Sequence, residues 1–182
     1  PYGFITYWSE NTEVYDSFID NIGSVTRSMT FLLVDGVTGA NHSTKNIKLV
    51  RCGAKYTQDG LILIDMRNTE QSTDLDYIVL DGIEIIDCWV EKRNRSAMDG
   101  PLFEVTDLNR NNVIKSKYAV KNVKLLNCSL KISQTPMAQR DFAPYSFNYV
   151  DGFYSSGLIV DDIFSNGILW YNTPSLVHHN IS

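Results

Sequence analysis

The sequence predicts an all-β fold, a right-handed parallel β-helix (a solenoid) of about five coils that forms one domain over residues 1–182. Two sets of short apolar segments recur in strict alternation along the chain, which is typical of a repeat architecture. Aliphatic and polar residues alternate within the segments, as they do in strands. No long segment keeps the 3.6-residue period of an amphipathic helix. The predicted coils span about 12–40, 41–76, 77–117, 118–156 and 157–182.

The first set of segments comprises Asn46–Cys52, Gly82–Cys88 and Asn122–Cys128. In each, two aliphatic residues flank a central charged residue and are expected to point inward, while the charge points outward. Parallel stacking then predicts a buried column of the three Cys residues, reduced and unpaired, and places Glu84 between Lys48 and Lys124. Asp161–Ile168 is interpreted as a shortened copy, and Asn11–Ile22 as part of another coil.

The second set comprises Phe31–Asp35, Leu61–Asp65, Phe103–Asp107 and Phe147–Asp151. Their first and third residues are expected to point inward. This alignment predicts an internal ladder in which Phe147 stacks on Phe103, extended by Leu61 and Phe31. It also places the four terminal Asp residues in one column.

Composition argues against several classes of protein. The net charge of −5 and the pI of about 5.1 do not fit a nucleic-acid-binding module. No apolar run is long enough to span a bilayer, and the first residues do not form a signal peptide. Neither Cys-x-x-Cys nor converging histidines are present, so no metal or cofactor is expected. Uncapped strand edges at both ends of such a solenoid favour a fragment of a longer chain or an oligomer.

The repeats resemble a known superfamily. Lys121–Leu130 is similar to the repeats of pectate-lyase-like β-helices, which include pectate lyases, polygalacturonases, alginate-modifying epimerases and phage tailspikes. The resemblance covers about residues 12–170. It implies a carbohydrate polymer bound along the flank of the helix. Long, uneven coils and frequent Asn and Tyr favour a phage tailspike or tail-appendage segment, which implies a homotrimer in a virion tail or outside the cell.

Candidate site residues fall in two places. The loops that follow the Cys residues lengthen from coil to coil, so Glu91–Pro101 and Ser133–Tyr145 are expected to form a wall. Asp99 and Asp141 are candidate acid or base groups there, and stacked Asp residues of the second set are the alternative. The candidate catalytic residues are Asp65, Asp99, Asp107, Asp141 and Asp151, and the candidate substrate-binding residues are Trp89, Arg93, Arg95, Arg140, Phe142 and Tyr145. Turn capping by Asp and ordinary solvated loop residues are the competing interpretations.

Three functions remain open from the sequence. The first is a tailspike-like protein that binds and cleaves a bacterial surface polysaccharide as a hydrolase or a lyase. The second is a non-catalytic structural or receptor-binding β-helix of a tail or surface assembly. The third is a secreted pectate-lyase-like enzyme. Asp161-Asp162 matches one element of the polygalacturonase pattern, but Asn-Thr-Asp, Gly-His-Gly and Arg-Ile-Lys are missing.

Overall fold

The computed structural model describes the strands of the chain and the short corners between some of them. The described residues are 2–6, 9–20, 30–35, 44–55, 60–65, 78, 80–92, 103–106, 120–132, 145–146, 150–161 and 176–181. All regular structure in these ranges is β-strand, and every strand pairing among them is parallel. The expectation of an all-β protein is therefore confirmed.

Fifteen strands are present in these ranges. They are β1 (Tyr2–Thr6), β2 (Glu10–Tyr15), β3 (Phe18–Asp20), β4 (Thr30–Asp35), β5 (Thr44–Val50), β6 (Gly53–Lys55), β7 (Gly60–Asp65), β8 (Leu80–Ile86), β9 (Trp89–Lys92), β10 (Phe103–Thr106), β11 (Val120–Leu126), β12 (Ser129–Ile132), β13 (Tyr145–Ser146), β14 (Val150–Asp161) and β15 (Leu176–Ile181).

The strands recur in threes. Sheet A has the order β1-β4-β7-β10-β13. Sheet B runs β2-β5-β8-β11-β14, with β15 added on β14, and sheet C runs β3-β6-β9-β12-β14. Strand β14 is long enough to pair with β11 and then with β12, so it joins sheets B and C. From β1 to β11, each strand therefore lies beside its counterpart three strands later in the chain.

Sheet B confirms the predicted faces of the first set. The two aliphatic positions of each segment are fully or almost fully buried in one continuous core. These residues are Ile47, Leu49, Ile83, Ile85, Val123 and Leu125. On the outer face, Glu84 is in register with Lys48 on one side and with Lys124 on the other. Lys124 Nζ is 3.3 Å from Glu84 Oε1. The predicted opposite-charge stacking is confirmed.

The predicted cysteine column is also confirmed. Cys52, Cys88 and Cys128 are unpaired thiols with at most 1% exposure. The Cys52 backbone N–H donates to Cys88 Sγ over 3.4 Å, and the Cys128 thiol donates to the Ile85 carbonyl over 3.5 Å. Burial raises the pKa of both Cys88 and Cys128 to about 12, so the two thiols are neutral packing groups.

Two columns of left-handed backbone shape sheet B. One lies near the start of each strand and the other at the corner between sheets B and C. The first contains Asn11, Asn46, Gly82, Asn122 and Gly152, and the second contains Asp16, Arg51, Asp87, Asn127 and Gly157, all with φ between 50° and 88°. Asn, Asp and Gly are the residues that adopt this conformation at the lowest cost. The hydrogen-bonded ladder continues through the corners, as in Arg51 N–H to Ile86 O at 3.0 Å.

Sheet A departs from the predicted alignment of the second set. Thr106 lies opposite Asp65, so the column that begins with Asp35 and Asp65 does not continue to Asp107. Phe103 pairs with Tyr145, so the predicted ladder partner Phe147 is wrong. An apolar strand with similar residues on both faces specifies its register weakly. A shift of one residue between β7 and β10 and of two residues between β10 and β13 was therefore invisible in the sequence.

Burial in sheet A is also less selective than predicted. Phe31 and Leu61 are fully buried as expected. Positions that strict alternation sends outward are buried too, namely Leu32, Val34, Ile62 and Ile64. Parallel strands covered on both faces read as continuous apolar runs, which explains why alternation fails here.

The fourth copy of the first set lies within β14. Asp151 pairs with Lys121 in sheet B, so assigning it to the second set was wrong. Asp161 pairs with Lys131 and ends this copy, so it does not begin one. The copy was hidden because Leu158 stands where the other copies have Cys, and Ser155 occupies a buried aliphatic position. At the other end, β2 and β3 pair with β5 and β6, as the partial coil at Asn11–Ile22 predicted.

Candidate functional site

An open groove of about 720 Å³ crosses the outer face of sheet B. It runs perpendicular to the strands and reaches from β2 to β14. Each strand contributes its left-handed residue and the outward residue two positions later. All of these strands except β2 also contribute the aliphatic or aromatic residue between the two. The lining residues on which the argument depends are Asn11, Asn46, Gly82, Asn122, Glu13, Lys48, Glu84, Lys124 and Tyr154.

One wall consists of the first left-handed column. The Asn46 carboxamide nitrogen donates to the Asn11 side-chain oxygen over 2.9 Å, and the Asn122 nitrogen donates to an Asp81 carboxylate oxygen over 2.7 Å. A Cβ at Gly82 would lie 3.1 Å from Asn46 Oδ1, so glycine leaves space for the carboxamide of the preceding repeat. The wall is thus a row of exposed, neutral hydrogen-bonding groups.

The opposite wall alternates in charge. Glu13, Lys48, Glu84 and Lys124 follow one another on successive strands, and Tyr154 occupies the next place. The two carboxylates and two ammonium groups balance, so this wall carries no net charge. Tyr154 is 36% exposed and adds an aromatic ring at the β14 end.

The two carboxylates of the groove are widely spaced for an acid–base pair. Glu13 and Glu84 lie two strand spacings apart, or about 9.6 Å, with Lys48 between them. This is at the outer limit of the about 6.5–9.5 Å used by inverting glycosidases and beyond the about 5 Å of retaining ones. Glu84 is also held by Lys124 at 3.3 Å. Within the described ranges, no group of His, Cys, Asp or Glu could hold a metal ion.

Most of the residues that the sequence nominated lie outside the described ranges. They are Arg93, Arg95, Asp99, Asp107, Arg140, Asp141 and Phe142. The two loops of the predicted wall also lie outside the described ranges, apart from residues 91–92 of the first loop and Tyr145 of the second.

The remaining nominated residues are distributed over the three sheets. Asp65 lies at the end of β7 in sheet A, opposite Asp35. Asp151 belongs to β14 in sheet B, and Tyr145 lies in β13 beside Phe103. Asp151 is not among the residues that line the groove.

Trp89 occupies a separate surface on sheet C. A Cβ at Gly53 would overlap the indole ring, so Trp89 lies directly across that glycine. The Trp89 ring is 6.2 Å from that of Phe18, which is 65% exposed. Trp89 is half-buried and pairs with the exposed ring of Phe18, and it is not among the residues that line the groove.

Sequence reasoning missed the groove itself. It identified Lys48, Glu84 and Lys124 as a stacked outward column, yet did not treat them as the wall of a site. The signal that could have found it is the recurrence of Asn or Gly two residues before each outward position, since these residues accept left-handed backbone. Tyr154 could be placed in this outward column only after the copy of the first set in β14 had been recognised.

Comparison with known proteins adds no identity. No model of a known protein family, no curated protein and no solved structure matches this chain. Among the described residues, no helix is long and apolar enough to cross a membrane.

Proposed function

We propose that the three sheets close into a right-handed parallel β-helix and that the groove on sheet B binds a neutral, linear polysaccharide. The parallel pairing of each strand with its counterpart one repeat later supports the solenoid. The three strand types recur in fixed order along the chain, which a solenoid produces as the chain winds.

The observation that carries the ligand assignment is the composition of the groove across five strands. Four strand spacings of about 4.8 Å give it a length of about 19 Å, which suits an extended polymer. Carboxamides along one wall can exchange hydrogen bonds with sugar hydroxyls, and Tyr154 offers a ring for stacking. Glu13 and Glu84 balance Lys48 and Lys124, so the wall has no net attraction for a polyanion, and a neutral glycan is the better partner.

The resemblance to tailspike repeats supports a biological setting for this binding. We propose that the protein is a trimeric receptor-binding β-helix of a phage tail or surface assembly and that it binds a bacterial surface glycan. The absence of a close carboxylate pair in the described groove favours binding without cleavage there.

A glycan-binding measurement on matched variants tests the proposal. Neutral and anionic bacterial polysaccharides are first screened against the chain, and affinity for the best neutral glycan is measured by calorimetry. Tyr154→Ala should weaken binding about tenfold, since a stacking aromatic ring contributes about 1 kcal/mol or more. Phe18→Ala removes a ring that is more exposed than Tyr154 and lies outside the groove, and it should leave affinity unchanged.

Other results would redirect or remove the proposal. Loss of binding with Phe18→Ala but not with Tyr154→Ala would move the site to sheet C. Preference for anionic glycans would contradict the charge argument. New reducing ends or unsaturated sugars, abolished by Glu84→Gln, would show that the groove cleaves its ligand.

A further inference from the structure

Strands β2 and β3 lie at the edge of their sheets among the described strands. Among the described strands, β2 pairs only with β5, and β3 only with β6. The core beneath is also incompletely covered. Val14 and Ile19 are only half-buried, whereas Leu49 and Ala54, their register partners in the next repeat, are fully buried. One more strand on this edge would satisfy its backbone groups and complete the core.

The outer faces of sheets B and C show what kind of strand fits there. Each repeat has four outward positions in register with those of its neighbours, and their charges share one sign that reverses in the next repeat. The four positions are Glu10, Glu13, Asp16 and Asp20 in the first repeat; Lys45, Lys48, Arg51 and Lys55 in the second; Asp81, Glu84, Asp87 and Glu91 in the third; and Lys121, Lys124, Asn127 and Lys131 in the fourth.

Direct contacts join the repeats across these positions. Arg51 donates two hydrogen bonds to the Asp16 carboxylate, of 2.5 and 2.7 Å. Ion pairs of 3.3–3.9 Å link Lys45 with Glu10, Lys124 with Glu84, and Lys55 with Glu91. An interior repeat has opposite charges on both sides, whereas the acidic first repeat has them only on the side of β5 and β6. The free side of that edge therefore matches a basic strand.

We propose that the edge formed by β2 and β3 binds a basic, extended segment of another protein, which adds as a parallel strand. The segment carries Lys or Arg at positions i, i+3, i+6 and i+10, with Asn or Gly at i+1. This is the pattern of Lys45–Lys55, the strand pair seated on the other side of the same edge. The Asn or Gly is required because the left-handed residue recurs in every strand of the stack at that position.

A second copy of the chain is the poorer partner. Its basic strands β5 and β11 each lie between two acidic neighbours and offer no free edge among the described strands. Strand addition with backbone hydrogen bonds plus side-chain charge matching is an established mode of peptide recognition. The inference does not rest on glycan binding, since it concerns the backbone edge and charge pattern of β2 and β3, although Glu13 also lines the groove.

A peptide of residues 44–55 carrying Cys52→Ser serves as the probe. Its controls are a shuffled peptide of the same composition and the acidic peptide of residues 80–91 carrying Cys88→Ser. Binding to the 182-residue chain is read by fluorescence anisotropy at low and high salt, and its location by hydrogen exchange. The chain variant Glu13→Lys/Asp20→Lys is compared with Asp151→Lys/Asp161→Lys, which makes the same charge change on β14.

The proposal expects the probe to bind and to slow exchange at residues 10–20 without exposing residues 44–55. The shuffled peptide and the Glu13→Lys/Asp20→Lys chain should each bind at least about tenfold more weakly, and high salt should weaken binding. The β14 variant should bind as the parent does. Equal binding of the shuffled peptide, protection at another edge, or no binding would overturn the proposal. Self-association that the Glu13→Lys/Asp20→Lys change abolishes would also overturn it, because a second copy would then be the occupant.

Discussion

Sheets A and B stack the same repeats but hold their register differently. In sheet B, β5, β8 and β11 are seven residues long and stay in one register across both pairings. In sheet A, the strands shorten to four residues in β10 and two in β13. Alternating charges and left-handed corners recur in sheet B, whereas the described core of sheet A is a run of aliphatic and aromatic residues. Specific pairs at fixed positions therefore define the register of sheet B, whereas the uniform apolar strands of sheet A define theirs only weakly.

The largest effect is expected from the core that both sheets share. Ile85→Ala in β8 removes a fully buried side chain and should lower the free energy of unfolding by about 2–5 kcal/mol. Ile159→Ala in β14 removes a side chain that is 56% exposed and should lower the free energy of unfolding by less than about 1 kcal/mol. Urea denaturation followed by circular dichroism measures both. Equal losses would mean that sheet B does not face the core as described.

Alkaline pH should weaken the stack through its cysteine column. In the folded protein, Cys88 and Cys128 have a pKa of about 12, whereas the pKa of an unfolded thiol is near 9.0. The unfolded state therefore holds fewer thiol protons above pH 9, and stability that is fully present below that pH falls as the pH rises. At pH 10 the loss should be about 1 kcal/mol for each thiol.

Urea denaturation at pH 7 and pH 10 separates this effect from general alkaline unfolding. The variant Cys88→Ala/Cys128→Ala should be less stable at pH 7 but should lose less stability between the two pH values. A fall as steep as that of the parent would contradict the thiol explanation.

The corner between sheets B and C should respond to single methyl groups. Gly157→Ala places a Cβ against Asn127 Oδ1 at a φ of +68°, and should cost about 1–2 kcal/mol for the backbone alone. Gly152→Ala has a similar φ of +78°, but its Cβ would lie 3.3 Å from the nearest atom, Asn122 Oδ1. Thermal unfolding should show Gly157→Ala to be the more damaging change, and the reverse order would contradict the corner geometry.

The smallest effect is expected from the charge columns. Glu84→Lys puts three ammonium groups in succession and should lower stability by about 1 kcal/mol or less, since the pair with Lys124 is more than 40% exposed. The loss should shrink in high salt. Adding Glu13→Lys, Lys48→Glu and Lys124→Glu inverts the whole column, which restores the alternation and should recover most of the loss. Chemical denaturation at two salt concentrations measures these differences.

The sequence predicted the parts of the fold that depend on repeated, specific residues. The inward aliphatic pairs, the cysteine column and Glu84 between two Lys residues follow from aligning three copies. The copy in β14 escaped because its buried positions hold Ser155 and Leu158. The register of sheet A escaped because Leu61, Ile62 and Ile64 are all buried and give no period to align.

The candidate site was less predictable than the fold. The groove depends on left-handed backbone at one position in five successive strands, which residue type permits but does not require. Asp residues attracted attention as possible acids, yet Asp65 and Asp151 belong to different sheets. Side chains of modest chemical reactivity, Asn46, Lys48 and Tyr154, line the groove instead.

The stacking of five parallel repeats beneath the groove is the central claim, and a pair of distances tests it most directly. Spin labels at Glu13→Cys and Tyr154→Cys span the groove, and labels at Glu13→Cys and Glu84→Cys span half of it, while the native thiols stay buried. In-register stacking predicts Cα separations of about 19 Å and about 10 Å, or four and two strand spacings. Two separations of equal length, or a shorter one for the Glu13 and Tyr154 pair, would contradict the stacked groove.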